Sequence, residues 1–440
     1  MFMNLIHGYS KLSQEQQFEV LVENKIISAE IAQLLKSFWY QDPSLQKIIN
    51  GISENSLSNY VLPLSIVPNV LVNKQLYAVP VVTEESSVVA AASFASKFWA
   101  KNGGFKTEVK SVTKIGQIHF IWRGNYSELQ KLSKSLENYL KQSVKHLTTS
   151  MDKRGGGIEE IKILDFTSKI ENCFQIQVSF NTADAMGANF INSCLETMAR
   201  NLVEFISEHF NGIASECNII MAILSNYTPE CKVECTVECS PEKLLPITSG
   251  LSADDFINKF ETAIKIAQID PYRAVTHNKG IFNGIDAVVL ATGNDFRAIE
   301  ACGHAYASRN GMYSSLSWCE NTAETFRFKL EIPLSLGSVG GLTNVHPMAN
   351  VALKILKQPS ATELMQITAA VGMSNHFSAI RALVTNGIQR GHMKMHLTKI
   401  LQHFKASDEE KQKAVSHFKN NEITYHAVSD FILQERNKAK

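Results

Sequence analysis

The sequence predicts a mixed α+β fold, in which a large α-rich domain is interrupted by a smaller insert and followed by a helical C-terminal module. Segments with strand and helix periodicity follow one another as β-α-β-β-α-β between about residues 112 and 225. After about residue 386 the composition becomes polar, and the 440 residues exceed the size of a usual single core. We therefore expect a large domain of residues 1–111 with 226–385, an insert of residues 112–225, and a C-terminal module of residues 386–440.

The insert has the most regular pattern of apolar residues. Leu129, Leu132, Leu136 and Leu140 recur at helical spacing in its first helix. Its predicted elements are strand 117–122, helix 127–147, strands 161–166 and 174–180, helix 185–210 and strand 219–224. That order is the split βαβ, ferredoxin-like arrangement, a four-stranded antiparallel sheet with both helices on one face. The first and third strands lack the aromatic motif of the RNA-recognition domains that share this topology.

The flanking segments carry different signals. Residues 87–100 form a strongly apolar run and residues 336–342 are rich in glycine, and we assign both to the large domain. Beyond residue 386, charged stretches such as 408–413 alternate with apolar positions at helical spacing. This pattern predicts a small helical module at the C-terminus.

The charge balance excludes some classes of partner. With 43 basic and 42 acidic residues the formal charge is +1, so there is no global positive field to attract nucleic acid. The first 17 residues lack a basic region followed by an apolar run, and residues 62–72 are too short to span a bilayer. We therefore expect a cytoplasmic protein that binds neither nucleic acid nor membrane.

The eight cysteines are typical of a reducing compartment. In residues 231–239 every odd position is Cys or Val and every even position is Lys, Glu or Thr, and this period-two pattern predicts a half-buried strand. The cysteines of this segment are Cys231, Cys235 and Cys239. Their spacing matches no common zinc pattern, so we expect no metal there.

Four segments combine glycine, ionisable and amide residues in a way that a structural core does not need. They are VVTEESSVVAAAS (81–93), NTADAMGAN (181–189), DPYRAVTHNKGIFNGIDAVVLATGND (270–295) and GIQRGHMKMH (387–396). The segments suggest a catalytic or binding site, although each one alone also has a structural explanation.

The paired glutamates of the first segment have two interpretations. Glu84 and Glu85 precede a helix-like run, where carboxylates favour the helix N-terminus. Alternatively, one carboxyl lies in an apolar pocket and holds a proton for delivery to a substrate.

The third segment is dense in hydrogen-bond donors. Lys279 lies between Asn278 and Gly280, close in sequence to Arg273 and Asn283. Such a set suits an anion or a polarised carbonyl, whereas the structural alternative is a solvated lysine.

Asp295 and two histidines each leave alternatives open. Asp295 follows Gly293 and Asn294, a pattern typical of a turn or helix cap. His392 and His396 are four residues apart on a presumed helix, which only weakly suggests a metal because the HExxH glutamate is missing. His392 is better suited to a proton donor at the edge of the C-terminal module.

The DAMGAN segment, residues 184–189, opens the second helix of the insert with small residues. Helix N-termini with closely approaching backbone bind phosphates, so a dinucleotide could bind here. The chain contains no GxGxxG after a strand, so a nicotinamide cofactor would not use the Rossmann fingerprint.

Together these segments resemble the class II 3-hydroxy-3-methylglutaryl-coenzyme A reductases from about residue 50 to residue 400. The motifs DAMGAN, DPYRA-THNKGI-NGIDAV, ATGND, VGG-T--HP and GIQRGHM occur in the family's order. The resemblance implies a large domain that binds the acyl-CoA, a small non-Rossmann insert that binds the nicotinamide cofactor, and a C-terminal flap. It also implies a homodimer, which can assemble further, with the active site at the subunit interface and no metal. The reaction would interconvert 3-hydroxy-3-methylglutaryl-CoA and mevalonate plus CoA with two hydrides, through mevaldyl-CoA and mevaldehyde.

The resemblance assigns four catalytic roles. Glu85 matches the catalytic glutamate, although Ser86 replaces the proline that usually follows, which keeps Glu84 as an alternative. Lys279 matches the lysine that polarises the thioester carbonyl. Asp295 matches the aspartate of the lysine and glutamate network, and His392 matches the histidine that protonates the departing thiolate.

The resemblance also assigns substrate contacts. Ser87, Arg273 and Asn283 match residues that contact the substrate. His376 occupies the position of an amide in the family, so it is expected at the substrate site. Asn375 is not expected to substitute for that amide, because one residue along a helix changes the direction by about 100°.

For the cofactor, the resemblance places Asp184, Met186, Gly187 and Asn189 at the dinucleotide. A second set lies before the glycines at 155–157, and it consists of Thr148, Lys153 and Arg154. Cations and no acidic residue suit a 2′-phosphate, so NADPH is expected rather than NADH. Asp152 is a contrary signal, because it could bind the ribose hydroxyls.

Two other functions remain as alternatives. One is a CoA-thioester hydrolase or lyase, which would need no nicotinamide cofactor. The other is a non-enzymatic binding module built on the insert.

Overall fold

The computed structural model of the chain describes residues 5–385, 387, 397–398, 400–418, 421 and 423–438. Their strands are β1 (Leu64–Val72), β2 (Gln75–Val82), β3 (Lys106–Val109), β4 (Lys114–Trp122), β5 (Gly157–Asp165), β6 (Cys173–Asn181), β7 (Cys217–Leu224), β8 (Lys232–Cys239), β9 (Ser317–Cys319) and β10 (Phe326–Pro333). The fold is therefore mixed, as predicted, and none of the helices in these ranges is long and apolar enough to cross a membrane.

The helices of these residues surround the strands. In the first half they are α1 (Gln14–Glu23), α2 (Ala29–Lys36), α3 (Pro43–Asn50), α4 (Ser86–Ala100), α5 (Tyr126–Lys131), α6 (Ser133–Ser143), α7 (Lys145–Asp152) and α8 (Ala188–His209). In the second half they are α9 (Ala253–Ile269), α10 (Pro271–Ala291), α11 (Phe296–Ala307), α12 (Leu342–Val345), α13 (Pro347–Ile355), α14 (Ala361–Val384), α15 (Asp408–His417) and α16 (Tyr425–Lys438).

The strands pair into three antiparallel sheets. β1 and β2 form a hairpin, a second sheet has the order β3-β8-β10-β9, and a third has the order β5-β6-β4-β7. Cys235 and Cys239 lie on β8, Cys231 directly precedes this strand, and all three cysteines are buried. The period-two prediction for that segment is confirmed.

Helices α6 and α8 contact each other and the third sheet. Leu136 and Leu140 of α6 share one apolar cluster with Ile118 and Phe120 of β4. The helix predicted over residues 127–147 is instead three helices, because the backbone leaves helical geometry at Leu132 and Val144. The chain thereby follows the sheet and keeps its apolar side chains buried.

A larger apolar cluster surrounds the paired helices α10 and α14. Helix α14 is buried over most of its length and contacts α4, α9 and α10. Helices α10 and α14 pack against each other, and both contact α4. Side chains from the three helices therefore lie close together near the N-terminal end of α4. This packing positions the candidate site.

A third, separate cluster lies near the C-terminus. It includes Leu397, Ile400 and Leu401 together with Val428 and Ile432 of α16. Helix α15 begins at Ser407, whose hydroxyl accepts the Glu410 N–H in a capping box.

Candidate active site

An ion pair between two helices marks the candidate site. Glu85 directly precedes α4 and has an extended backbone conformation. The Lys279 Nζ lies 3.5 Å from Glu85 Oε2, and the Ser87 hydroxyl donates to Glu85 Oε1. The Lys279 side chain is 60% exposed and that of Glu85 is 35% exposed, so both remain accessible to a substrate.

These three residues line a cavity of about 440 Å³, which we call the Glu85 cavity. Its wall also includes Phe94, Asn283, Asn375 and Arg381. Glu84 is exposed and is not among its lining residues. The structure therefore brings Glu85, and not Glu84, to the lysine.

Asn283 follows Lys279 by one helical turn on α10, which explains why both face the cavity. Arg273 lies in the first turns of α10 and is half-buried. Burial lowers the pKa of its guanidinium. Arg273 does not line the cavity, so the structure brings together Glu85, Ser87, Lys279 and Asn283 without Arg273.

The expectation that His376 contacts the substrate disagrees with the structure. His376 is 1% exposed, and its Nε2 lies 2.8 Å from Ser317 Oγ and 3.1 Å from His277 Nε2. Burial lowers the pKa of His376 well below its usual value, and it lowers the pKa of His277 to about 3. The ring belongs to a buried cluster beneath α10.

Asn375, the residue before His376, lines the Glu85 cavity, contrary to the expectation from helix direction. The turn of about 100° per residue does separate the two directions. Packing of α14, however, directs Asn375 to the cavity and His376 to the core. Asn375 Nδ2 is buried and donates no hydrogen bond within the described residues.

Arg381 is a second cavity residue that the sequence reasoning missed. Its guanidinium stacks on the Phe94 ring at 4.4 Å, and its Nη1 donates to the Ile247 carbonyl at 3.2 Å. The spacing of Asn375, Ser378 and Arg381, each three residues apart, was the available signal for one helix face.

Asp295 does not lie near the Lys279–Glu85 pair within one chain. Lys279 and Ala291, at the end of α10, are twelve residues apart, which is about 18 Å of helix. Asp295 follows that end and caps α11 by accepting the Arg297 and Ala298 N–H groups. Its side chain lines a different cavity.

This second cavity also measures about 440 Å³, and we call it the glycine-rich cavity. It lies between α7, the start of α8 and the loop 337–343. Gly187 has φ +88° and a Cβ on it would lie 2.4 Å from Thr182 Cγ2. A Cβ on Gly337 would lie 2.3 Å from the Met186 backbone N. Glycine at these two positions therefore lets the loops approach.

The predicted cofactor residues divide at this cavity. Met186, Gly187, Asn189 and Arg154 line it. Asp184 does not, because its carboxylate accepts the Ala361 N–H at 2.8 Å, at the N-terminus of α14. That aspartate joins the loop to the helix instead of facing the cavity.

Two further predicted cofactor residues also face away. Thr148 is 3% exposed and its hydroxyl donates to Asp152 Oδ2 at 3.1 Å. Lys153 is exposed but does not line the cavity. The residues of α7 that line the cavity are Leu147, Ser150 and Met151. Arg154, which follows the end of α7, lines it as well.

Asp152 is bound within its own segment. Lys145 Nζ lies 2.7 Å from Asp152 Oδ2, and this contact lowers the pKa of the Asp152 carboxyl. The carboxylate also fills the space beside Gly157, where a Cβ would lie 2.4 Å from Oδ1. It is therefore engaged away from the glycine-rich cavity.

Asp286 was not anticipated from the sequence. It follows Lys279 by seven residues, so it lies two turns along the same face of α10. Its Oδ1 is buried without a hydrogen-bond partner among the described residues. Burial raises the pKa of Asp286 to about 8, with Glu300 contributing further through its charge and a hydrogen bond.

His392 and His396 lie outside the described residues. Among the residues that are described, no group of three or more His, Cys, Asp or Glu side chains is arranged to hold a metal ion.

Comparison with known proteins identifies the family. The hydroxymethylglutaryl-coenzyme A reductase family model matches residues 19–397. A probable 3-hydroxy-3-methylglutaryl-coenzyme A reductase of Borreliella burgdorferi is 34% identical over 93% of both chains. The Archaeoglobus fulgidus reductase is 32% identical over 89% of this chain and 85% of its own.

A solved structure agrees. The class II 3-hydroxy-3-methylglutaryl-CoA reductase from Streptococcus pneumoniae, bound to NADPH in open conformations, superposes with a TM-score of 0.72 at 37% identity. The match covers 86% of this chain and 99% of that one. The chain belongs to the hydroxymethylglutaryl-coenzyme A reductase family.

Proposed function

We propose that this chain reduces 3-hydroxy-3-methylglutaryl-CoA to mevalonate and CoA, through mevaldyl-CoA and mevaldehyde, at the Glu85–Lys279 pair. The observation that carries the proposal is the 3.5 Å approach of Lys279 Nζ to Glu85 Oε2 at the wall of an open cavity. An ammonium and a carboxyl side by side can stabilise an oxyanion and then protonate it.

Lys279 supports the first step. As the thioester carbonyl becomes tetrahedral, negative charge grows on its oxygen, and the ammonium stabilises that charge by roughly 3 kcal/mol. Glu85, in its protonated form, then supplies the proton that converts the oxyanion to a hydroxyl. Ser87 holds the other carboxyl oxygen and so keeps the acid directed at the cavity.

Asn283, Asn375 and Arg381 suit the polar groups of the substrate. Asn375 lines the wall of the Glu85 cavity, and its buried Nδ2 has no hydrogen-bond partner among the described residues. Arg381 places a cation in the same wall for the substrate carboxylate. Arg273 is proposed as a further carboxylate contact at the mouth of the cavity.

The glycine-rich cavity fits a dinucleotide. Residues 186–189 bring backbone N–H groups and the N-terminus of α8 to its wall, where phosphates bind without a Rossmann fingerprint. Met186, Gly187, Asn189 and Arg154 would hold the cofactor, and each of two successively bound cofactor molecules would supply one hydride.

The cofactor is proposed to be NADPH. Ser150 and Arg154 face the cavity on one side of α7, and Arg154 Nε donates to the Ser150 carbonyl at 3.2 Å. Asp152 is engaged with Lys145 and Thr148 instead. A cation and a hydroxyl on this side of α7, with the Asp152 carboxylate engaged elsewhere, suit a 2′-phosphate.

One chain does not complete the site. Hydride transfer needs reacting atoms about 3–3.5 Å apart, whereas about 18 Å of helix separates Lys279, in the middle of α10, from the end of α10, beyond which Asp295 lines the glycine-rich cavity. We therefore assign the active site to the interface of a homodimer, with the Glu85 cavity of one copy facing the glycine-rich cavity of the other. Asp295 would then reach Lys279 and Glu85 from the second copy.

Exposed apolar side chains beside the glycine-rich cavity support this assembly. Val345, Met348 and Ile355 are 55%, 42% and 40% exposed, and they follow the loop that forms one cavity wall. Apolar groups grouped in this way are typical of an interface.

The domain built around the large apolar cluster is proposed to bind the substrate. The insert is proposed to bind the cofactor, and the C-terminal segment is proposed to be the flap. His392 belongs to the flap and is proposed to protonate the thiolate as CoA leaves.

An absorbance assay of reduced nicotinamide tests the proposed function. With 3-hydroxy-3-methylglutaryl-CoA, the protein should oxidise two equivalents of NADPH for each CoA released, and it should oxidise NADH less efficiently. Release of CoA without oxidation of either cofactor would contradict the proposal and indicate a thioester hydrolase.

A further inference from the structure

A buried lysine lies directly beneath the DAMGAN loop. Lys114 opens β4, on the face that it shares with Ile118 and Phe120, and it is only 4% exposed. Apolar residues normally occupy this inward register, because burying an ammonium is costly unless it is hydrogen-bonded. A cation buried at this position therefore requires specific stabilising contacts.

The Lys114 ammonium is bonded to the loop rather than to a carboxylate. Its Nζ donates to Thr182 Oγ1 at 2.5 Å and to the Ala185 carbonyl at 3.0 Å. The Thr182 hydroxyl donates in turn to the same carbonyl at 2.6 Å. The described residues give the ammonium no ion-paired carboxylate, and Asp184 acts on it only at a distance.

This contact supports the cavity wall from below. Thr182 is 1% exposed and packs under Gly187, where a Cβ would lie 2.4 Å from it. Lys114 lines a small void of about 20 Å³ together with Met186 and Ala188. Met186 and Ala188 also line the glycine-rich cavity, so the same two residues border both the void beside Lys114 and that cavity.

We infer that Lys114 is a positioning residue for the dinucleotide: it holds the 182–187 loop in its binding conformation and adds positive charge behind the N-terminus of α8. The inference rests on the proposed function, because it assumes that the dinucleotide phosphates bind in the glycine-rich cavity. A buried cation without an ion-paired carboxylate gains stabilisation when an anion binds beside it.

The buried charge of Lys114 determines which step of the reaction cycle this residue affects. Burial lowers the pKa of the Lys114 ammonium, so its charge is costly in the free protein. An arriving phosphate offsets part of that cost, whereas the uncharged nicotinamide ring gains nothing from it. The contribution therefore appears in the affinity for the dinucleotide and not in the chemistry at Glu85.

Lys114→Met tests this role, because methionine fills similar space without the charge or the donors. The Kd for NADPH, followed by its fluorescence, and the KM for NADPH should rise at least about 10-fold, the loss expected for a charge-assisted hydrogen-bond network. The kcat at saturating NADPH and the KM for the thioester should be unchanged. Unchanged NADPH affinity, or equal losses in both KM values and kcat, would overturn the inference.

Two further variants separate positioning from general stability. Thr182→Val keeps the ammonium but removes its link to the loop, so it should weaken NADPH binding in the same sense, and normal binding would contradict the proposed contact. Ile118→Val, on the same face of β4, should lower Tm without altering the Kd for NADPH. If the wild-type protein itself neither binds NADPH nor oxidises it with the thioester, the proposed function fails, and not the role of Lys114.

Discussion

Lys279 Nζ lies 3.5 Å from Glu85 Oε2, although the two residues are 194 positions apart in sequence. The contact joins the N-terminal end of α4 to the middle of α10, and the proposed chemistry depends on it. Both side chains are partly exposed at a cavity, so a substrate can reach them.

Glu85→Gln should abolish thioester reduction and mevaldehyde reduction, because the amide fills the same space but supplies no proton. Glu84→Gln is the matched control and should remain active, since Glu84 is exposed outside the cavity. Steady-state rates and Tm of both variants check this prediction. Loss of activity in the Glu84 variant alone would reverse the assignment.

Ser150→Asp should shift the cofactor preference from NADPH toward NADH, because the new carboxylate faces the glycine-rich cavity and repels the 2′-phosphate. The ratio of kcat/KM for the two cofactors measures the effect. Thr148→Asp, at the position first expected to set this preference, should instead lower Tm because Thr148 is buried beside Asp152. A wild-type preference for NADH would contradict the account.

Asp286→Asn should remove a pH dependence of stability. The folded pKa of Asp286 is raised to about 8, so the folded state holds this proton more tightly than the unfolded chain does. Its contribution to stability is complete below the unfolded pKa, near 4, and is lost as pH rises toward about 8. Tm of the wild type should therefore fall relative to Asp286→Asn between pH 6 and pH 9, and a constant difference would refute the shift.

His392→Gln should separate the two halves of the reaction. If His392 protonates only the departing thiolate, thioester reduction stops while reduction of added free mevaldehyde largely continues, since mevaldehyde has no thiolate to expel. Both rates are measured by NADPH oxidation. Loss of both activities would show that the residue supports the substrate or cofactor site instead.

Patterns confined to one element were readable from the sequence. The period-two alternation around Cys235 and Cys239 predicted a strand, and β8 spans Lys232–Cys239. The second long helix predicted over residues 185–210 is α8, which begins at Ala188 because Gly187 has φ +88°. Local periodicity is sufficient for such elements, because the same apolar face is buried along the whole length.

Side-chain direction at the sites was less readable. Asn375 and His376 are adjacent, and only the packing of α14 decides which one faces the Glu85 cavity. Thr148 was expected at the cofactor, yet its hydrogen bond to Asp152 turns both side chains away. Lys114 gave no motif at all, because its importance depends on a loop 68 residues later in the chain.

We propose that each active site is built from two copies of the chain, and mixing two inactive variants tests this shared site most directly. Lys279→Ala and Asp295→Asn should each be nearly inactive alone, the first by about 100- to 1000-fold. In a mixed dimer, one of the two sites receives both wild-type residues. After subunit exchange at equal concentrations, NADPH oxidation with the thioester should recover to about a quarter of the wild-type rate. A mixture no more active than its separate components, although exchange has occurred, would contradict the shared site.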